Sequence, residues 1–243
     1  MTTHNKSKKV NRAWLHDHIN DPYVKLAKKE DYRSRAAYKL KEIDESLRLI
    51  KPGQLVVDLG SAPGAWSQYV SRKFSAARTS PESDPSAASR IVALDMLPME
   101  AVEGVHFHVG DFREAAVFNE LRVLLAGRRV DVLLSDMAPN LSGVAEADGA
   151  RMTDLVELAL EFSREHLSPQ GALLCKAFHG SGYSQLAQRF KNSFKTFKVI
   201  KPKASRGKSA ETYLVGMGLK PVASDAEFGP KAEKEESVLP PLR

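Results

Sequence analysis

The sequence predicts an α/β fold in which one mostly parallel sheet of seven strands is covered by helices on both faces. Three observations lead to this prediction. A chain of 243 residues with 42% hydrophobic side chains can bury one sizeable core. Short apolar runs alternate with segments of helical periodicity, which is the pattern of strand–helix–strand units. Five of the apolar runs end beside a charged residue, as expected where parallel strands deliver side chains to a binding edge.

The apolar runs predict strands at 55–57, 91–94, 105–109, 130–134, 172–175, 196–200 and 212–217. Helices are predicted at 34–49, from the turn after the first strand to about residue 73, and at 113–126, 151–167 and 183–193.

The helix predicted at 34–49 has the clearest pattern. Its apolar residues recur at spacings of 4, 3 and 4, namely Ala36, Leu40, Ile43 and Leu47. At about 100° per residue, Lys39 lies about 60° from the centre of this stripe and can reach inward, whereas Lys41 points to solvent. The Lys-Pro-Gly sequence at 51–53 is expected to end the helix.

One folded domain is predicted at 33–218, between two less ordered ends. Residues 1–32 lack sustained apolar periodicity, so we expect a basic, partly disordered RNA-binding arm with one short helical stretch. Residues 75–89 hold five Ser, four Ala and two Pro and no large apolar side chain, which indicates a flexible insertion. The charged, proline-bearing segment 219–243 is expected to be a disordered tail.

The positive charge is concentrated in two runs. Residues 1–41 hold eleven Lys/Arg and four Asp/Glu, a net charge of +7, while the whole chain has +6. A second run, 195–208, holds six Lys/Arg and no acid. Aromatic side chains that could stack on bases are interleaved with the first run: Trp14, Tyr23, Tyr32 and Tyr38. Two basic runs with aromatics favour a nucleic-acid partner over a merely solvated surface.

Several classes of protein are excluded by what the chain lacks. A single cysteine rules out an internal disulfide and any cysteine-based metal site, and we expect no bound metal. The first ten residues contain no apolar stretch of the kind found in secretory signals, and no run of 18 apolar residues could span a membrane. We therefore expect a cytoplasmic protein that does not bind membranes, and a monomer.

Charged residues at the predicted strand ends describe a binding site. They are Asp58 with Gly60 after the first strand, then Asp95, Asp111, Asp136 and Lys176 after the next four. Asp95 lies 35 positions after Gly60, or 20 when the 15-residue insertion is left out, close to the spacing at which an acidic residue binds ribose hydroxyls. An acidic rim would repel the pyrophosphate of NAD but suits the sulfonium and ammonium groups of S-adenosylmethionine (SAM).

Seven segments carry a resemblance to a known family. In order along the chain they are YRSRAAYKLKEI, VVDLGSAPGAWSQYV, ALDMLPM, GDF, SDMAPNLSG, LLCKAFHGSG and SAETYLV. Together they resemble the FtsJ family of ribosomal RNA (rRNA) ribose 2′-O-methyltransferases, from about residue 14 to residue 218. The resemblance implies a Rossmann-like, SAM-dependent methyltransferase whose last strand is antiparallel. It also implies a substrate, a uridine of 23S rRNA in the loop that contacts aminoacyl-tRNA, on the assembled large ribosomal subunit.

The same resemblance implies the site residues. A catalytic tetrad falls on Lys39, Asp136, Lys176 and Glu211. Cofactor contacts fall on Gly64, Trp66, Asp95, Asp111 and Asp136. The chain departs from close relatives at Ala65, where they have a second glycine, and in its longer insertion. The family assigns the acceptance of the hydroxyl proton to Lys176. Because the four tetrad charges nearly cancel, the sequence leaves open whether Lys176 accepts that proton early or orients the hydroxyl and accepts it late.

Two other functions remain open at this stage. The first keeps the reaction but changes the RNA, since relatives of this type also modify tRNA anticodon loops and messenger caps. The second is a non-catalytic RNA-binding assembly factor on the same fold, for which a broken tetrad would be expected.

Overall fold

The structure is a computed structural model that describes residues 19–77, 90–207 and 209–221. The first 18 residues of the expected basic arm, with Trp14, therefore lie outside the described residues. So do 78–89 of the expected insertion, Lys208 of the second basic run and all of the expected tail beyond 221.

Six helices and seven strands lie wholly within the described residues, and residues 19 and 20 are also helical. The helices are α1 (Pro22–Lys29), α2 (Ala36–Leu47), α3 (Ala65–Ala76), α4 (Ala115–Leu125), α5 (Ala145–His166) and α6 (Tyr183–Ser193). The strands are β1 (Leu55–Leu59), β2 (Arg90–Asp95), β3 (Val105–Val109), β4 (Val130–Ser135), β5 (Leu167–Phe178), β6 (Phe194–Ile200) and β7 (Glu211–Leu219). All seven predicted strands are present.

The strands form one sheet in the order β3-β2-β1-β4-β5-β7-β6. Strands β1 to β5 pair in parallel, whereas β7 lies between β5 and β6 and is antiparallel to both. The α/β fold class, with a mostly parallel sheet and an antiparallel last strand, is therefore confirmed. The strand order reverses at β1, because β2 and β3 lie on one side of it and β4 on the other. The crevice at such a reversal is where open sheets of this type bind ligands.

Alternate residues of each strand feed two separate cores. One face of the sheet is covered by α4, α5 and α6, whose apolar residues pack on Val57, Leu133 and Leu173. The other face is covered by α2 and α3, which pack on Val56 and Leu174. Because side chains alternate along a strand, a residue's position in its strand decides which helical layer it meets.

Helix α1 lies inside the segment expected to be a basic arm, and it packs on the domain. Its Ala27 joins Tyr38 and Ala204 in a small third cluster. The expectation that Tyr38 is a base-stacking platform is wrong, because only 3% of it is exposed and its ring packs against the rings of Tyr23 and Tyr32 at 5.6 Å each. The ring contacts of Tyr38 thus hold α1, through Tyr23, and the α1–α2 connection, through Tyr32, against α2.

The ends of two predicted helices differ from the structure in ways that the local sequence explains. Helix α2 ends at Leu47, before the Lys-Pro-Gly sequence, because Arg48 adopts a left-handed conformation and its amide bonds to the carbonyl of Asp44. Helix α3 runs to Ala76, two residues into the expected insertion. Within the three described stretches, no helix is both long and apolar enough to cross a bilayer.

Candidate active site

The antiparallel pairing of β5 with β7 sets the geometry of the site. Lys176 is the cross-strand partner of Tyr213, and Phe178 is the partner of Glu211. Since side chains alternate, Glu211 and Tyr213 share the sheet face covered by α2 and α3, and Lys176 joins them there. The sequence placed Lys176 just after a strand that ends at 175. The structure corrects this, because β5 continues to Phe178 and holds Lys176 inside it.

The four residues of the implied tetrad form two ion pairs. Nζ of Lys39 lies 2.8 Å from each carboxylate oxygen of Glu211. Nζ of Lys176 lies 3.1 Å from Oδ1 of Asp136 and also donates to the backbone carbonyl of Asp136. Lys39 reaches inward from α2, as its angle on the helix predicts, and its side chain is only 14% exposed. Two cations and two carboxylates thus meet in a partly buried site with no net charge.

Tyr213 links the two ion pairs. Its hydroxyl donates to Oδ1 of Asp136 at 2.9 Å, and Nζ of Lys39 lies 6.0 Å from the centre of its ring. Burial, together with the carboxylates of Asp136 and Glu211, raises the pKa of Tyr213, so the hydroxyl remains a donor. Sequence reasoning missed this residue, although its position two residues after Glu211 on one strand puts both on the same face.

Asp58 does not stand at the rim with the other strand-end carboxylates. The prediction that it follows the first strand is wrong, because β1 runs to Leu59 and Asp58 is fully buried on the α3 side. Its Oδ2 accepts from the Ser67 hydroxyl at 2.6 Å, while Oδ1 has no hydrogen-bond partner among the described residues. Burial, opposed by the Ser67 bond and aided by the charges of Asp136 and Asp95, raises the pKa of Asp58 to about 7.

The turn after β1 is held against the ends of the neighbouring strands. The amide of Gly60 donates to the carbonyl of Leu94, and Oδ2 of Asp95 accepts from the amide of Ala62, both at 2.9 Å. Gly60 has φ +73°, and a Cβ there would lie 2.8 Å from the backbone of Met137. Only glycine therefore allows this turn to approach the loop after β4 so closely.

Arg33 fastens the same turn from the other side. Its guanidinium donates to the carbonyls of Pro63, Glu100 and Ala101 at 3.0, 2.7 and 2.6 Å. One side chain thus joins the turn after β1 to the loop after β2. At Gly64, with φ +100°, a Cβ would lie 2.7 Å from Arg33 Nη1. Sequence reasoning gave Arg33 no role, because a side chain that binds backbone carbonyls leaves no pattern in the sequence.

The remaining predicted cofactor residues differ in how they face the site. Asp111, at the end of β3, has its carboxylate bound by the guanidinium of Arg113 at 2.6 to 3.1 Å. The ring of Trp66 is buried in the core, and its indole N–H donates to the carbonyl of Ala36 at 2.8 Å. Trp66 lies in the first turn of α3, where backbone amides have no partner within the helix, and a contact of Trp66 with the cofactor stays a prediction.

No metal-binding group forms in the part of the chain that the structure describes. The described residues contain no cluster of three or more His, Cys, Asp or Glu arranged to hold a metal ion. The cations beside Asp136 and Glu211 are those of Lys176 and Lys39.

Comparison with known proteins identifies the family. The model of the FtsJ-like methyltransferases matches residues 32–219, which span the whole sheet and the site. The chain belongs to the FtsJ-like methyltransferase family. The resemblance that the sequence motifs carry is thereby confirmed.

Individual relatives agree with this family. Ribosomal RNA large subunit methyltransferase E of Variovorax paradoxus (strain S110) is 63% identical over 222 residues, 90% of this chain and 98% of the relative. A solved Plasmodium falciparum protein, provisionally named a ribosomal RNA methyltransferase, has a TM-score of 0.67 at 26% identity, covering 77% of this chain and 98% of that one. Human Methyltransferase-like protein 13, solved with SAH, has a TM-score of 0.51 at 14% identity, covering 76% and 83%, and shows the fold alone.

The methyl donor of this methyltransferase family is SAM, so the cofactor expected from the sequence is confirmed. The residues present fit that group. Three carboxylates lie at strand ends: Asp95 ends β2, Asp111 follows β3 and Asp136 follows β4. Asp58 is buried nearby, and its Oδ1 has no hydrogen-bond partner among the described residues. Acidic oxygens suit a ligand that carries a sulfonium and an ammonium. The individual contacts of Gly64, Trp66, Asp95, Asp111 and Asp136 stay predictions.

The raised pKa of Asp58 predicts a pH-dependent stability. Between pH 4 and 7 the unfolded chain loses this proton while the folded protein keeps it, so the free energy of unfolding falls as pH rises. Asp58→Asn removes this effect, and we expect its stability relative to wild type to rise by roughly 3–4 kcal/mol across that window. Urea unfolding of the ligand-free protein measures it. Asp111→Asn is the control, because the hydrogen bond from Arg113 lowers the pKa of Asp111. Its stability relative to wild type should not rise with pH above pH 5. If the stability of Asp58→Asn relative to wild type does not change between pH 4 and 7, the pKa of Asp58 is not raised in the folded protein.

Arg33→Ala should weaken SAM binding without harming the chemical step. Losing three charge-assisted bonds to the two cofactor-flanking loops is expected to raise KM for SAM by about 10-fold or more, while kcat at saturating SAM changes little. Arg72→Ala is the matched control, because Arg72 also binds backbone carbonyls, those of Glu30 and Asp31, but does not touch either loop. An unchanged KM in Arg33→Ala, or an equal rise in both variants, would contradict this role.

Proposed function

We propose that this chain transfers a methyl group from SAM to the ribose 2′-hydroxyl of a uridine in 23S rRNA, on the assembled large ribosomal subunit. The observation that supports this most strongly is the pair of ion pairs Lys39–Glu211 and Asp136–Lys176 at the strand ends. An intact set of this kind argues against a non-catalytic assembly factor. The name of the relatives, Ribosomal RNA large subunit methyltransferase E, supports rRNA as the substrate.

In this proposal Lys176 acts on the acceptor hydroxyl. SAM supplies an electrophilic methyl group on a sulfonium, and the protein's task is to hold the hydroxyl oxygen in line with it. Nζ of Lys176 orients the hydroxyl. Once the ammonium has released one proton to solvent, the neutral amine takes the hydroxyl proton as the oxygen–methyl bond forms and the carbon–sulfur bond of SAM breaks. Asp136 positions Nζ through both its carboxylate and its backbone carbonyl, and Tyr213 fixes that carboxylate.

The second ion pair shapes the approach of the ribose. Oε1 of Glu211 accepts from the Ser205 hydroxyl at 2.7 Å, and Nζ of Lys39 lies 2.8 Å from both oxygens of the carboxylate. Lys39 and Glu211 therefore form a fixed polar wall beside Lys176, suited to the hydroxyls of a ribose. Trp66, Gly64 and Asp95 belong to the cofactor side of the site in this proposal, with Asp111 and Asp136.

Cations beside the site would hold the RNA backbone. Lys201, Lys203 and Arg206 lie in the loop between β6 and β7, which leads directly to Glu211. Lys195 lies at the opposite end of the seven-residue strand β6, about 20 Å away at 3.3 Å per residue. Thus only the second half of the basic run flanks the site. A backbone grip of this kind favours an unstacked loop nucleotide over a paired one.

Methylation of large subunits from a strain that lacks the protein tests the proposal. We expect one methyl group per subunit, at a uridine ribose, and little transfer to naked rRNA fragments or tRNA. Lys176→Ala should lower the rate by at least ~100-fold while SAM affinity, measured by calorimetry, stays near wild type. Lys41→Ala is the control, since Lys41 lies on the solvent side of α2, 3.9 Å from Glu30 and 5.8 Å from the centre of the Tyr38 ring, and contacts no tetrad residue by salt bridge.

Three results would overturn the proposal. If subunits from that strain already carry the methyl group and its tRNA lacks one, the activity belongs to tRNA. Wild-type protein that binds subunits but transfers no methyl group would indicate an assembly factor. A wild-type rate in Lys176→Ala would remove the catalytic assignment.

A further inference from the structure

A groove of about 330 Å³ adjoins the site, and the tetrad account does not use it. Three segments line it, and each continues an element that holds a tetrad residue. The segment after β4 supplies Leu141 and the first turn of α5. The end of β5 supplies Phe178 and His179, and the residue before β7 is Ala210. The amide of His179 donates to the carbonyl of Ala210 at 3.0 Å, which joins two of the walls.

The groove lies on the acceptor side of the site. On the cofactor side, the glycine-bearing turn follows β1, and the carboxylates of Asp95 and Asp111 lie at the ends of β2 and β3. The groove is lined by residues that follow β4, end β5 and precede β7. Methyl transfer is an in-line displacement, so the accepting oxygen must approach from the side away from the donor sulfur. Lys176 lies two residues before Phe178, and Glu211 directly follows Ala210. Phe178 packs with the layer of α4 to α6, so the groove opens on that side of the strand ends, one or two residues along the chain from both side chains. The base of a ribose held at Lys176 and Glu211 can reach it from there.

The lining suits a base and not a phosphate. Leu141, which is 65% exposed, and His179 both line the space, so an apolar side chain and an aromatic ring border it. The ring of His179 is supported from behind by that of Tyr183, 4.2 Å away. Glu146 and Asp148 also line it, and their charges would repel a phosphate. The volume lies at the lower end of the range for small-molecule pockets, which suits one nucleoside and excludes a duplex.

The groove is held open by a closed network around Asp148. Its carboxylate accepts from the amides of Ser142 and Gly143 at 2.8 and 3.0 Å and pairs with Arg151. These bonds lower the pKa of Asp148 to about 2, so the carboxylate stays charged and the network intact at physiological pH. The loop that carries Leu141 is thus fixed before any RNA binds.

We propose that this groove binds the base of the acceptor nucleotide, unstacked from its neighbours, with Leu141 and His179 as its principal contacts. The inference rests on the proposed ribose methylation and adds a base subsite to it. The carbonyl oxygens of uracil are hydrogen-bond acceptors. The amides in the first turn of α5 have no partner within the helix and border the groove, so they can donate to these oxygens. The enzyme therefore reads an extruded nucleotide through its base while it reacts at the ribose.

The test compares two substrates that differ only at the acceptor nucleotide. Large subunits are reconstituted with ligated 23S rRNA that carries either the normal base or an abasic ribose at the position that wild-type enzyme methylates. Leu141→Ala and His179→Ala should each lower kcat/KM for the normal substrate by about 5-fold or more, the loss expected for a base contact. Neither variant should alter kcat/KM for the abasic substrate or the Kd for SAM. Val123→Ala, at an exposed position on α4, is the control and should match wild type with both substrates.

The outcomes distinguish failure of the base subsite from failure of the proposed ribose methylation. If both variants lower kcat/KM equally for normal and abasic substrates, or leave both unchanged, the base subsite is wrong while ribose methylation stands. If the wild-type product is methylated on a base, so that the adjacent phosphodiester stays sensitive to alkali, the proposed function itself is wrong. Selective loss with the normal substrate, as measured by the ratio of the two kcat/KM values, supports the subsite.

Discussion

The insertion of β7 between β5 and β6 is the constraint on which the site depends. Strand β7 runs opposite to β5, so it begins at the edge of the sheet where β5 ends. Glu211, the first residue of β7, is thereby brought to the edge at which β5 presents Lys176. The pairing of Lys176 with Tyr213 then fixes which face these side chains share. A one-residue slip of this register would turn the lysine and the glutamate toward opposite helical layers. The basic loop before β7 is carried to the same edge by the same connection.

Charge balance explains how four ionised groups remain in a largely buried site. An isolated buried charge is costly, whereas each lysine here meets a carboxylate at about hydrogen-bond distance. Asp58 shows the opposite case. It has no cation beside it, and burial raises its pKa to about 7. Each lysine of the site is thus paired with a carboxylate, whereas Asp58, which no salt bridge among the described residues balances, is about half protonated near pH 7.

Much of this structure could be predicted from the sequence, and the exceptions have physical causes. The seven strands follow from apolar runs, and the inward reach of Lys39 follows from its helical angle. Lys176 and Glu211 came only from the family resemblance, because a charged residue near a strand end is common. Asp58 was placed wrongly, since ending β1 two residues early hides the alternation that buries it beside Val56. The roles of Arg33 and of the groove depend on loops that meet only in the folded chain.

The central claim is that the residues on β5 and β7 act as one catalytic unit because the strand register joins them. A double-mutant cycle with Lys176→Ala and Glu211→Ala, read as the single-turnover rate of methyl transfer at saturating SAM, tests it most directly. Residues that act as a unit give strongly non-additive losses, so the double variant should be within about 3-fold of the slower single variant. A double variant whose loss equals the product of the two single losses would show that the two residues work independently, and it would contradict the account.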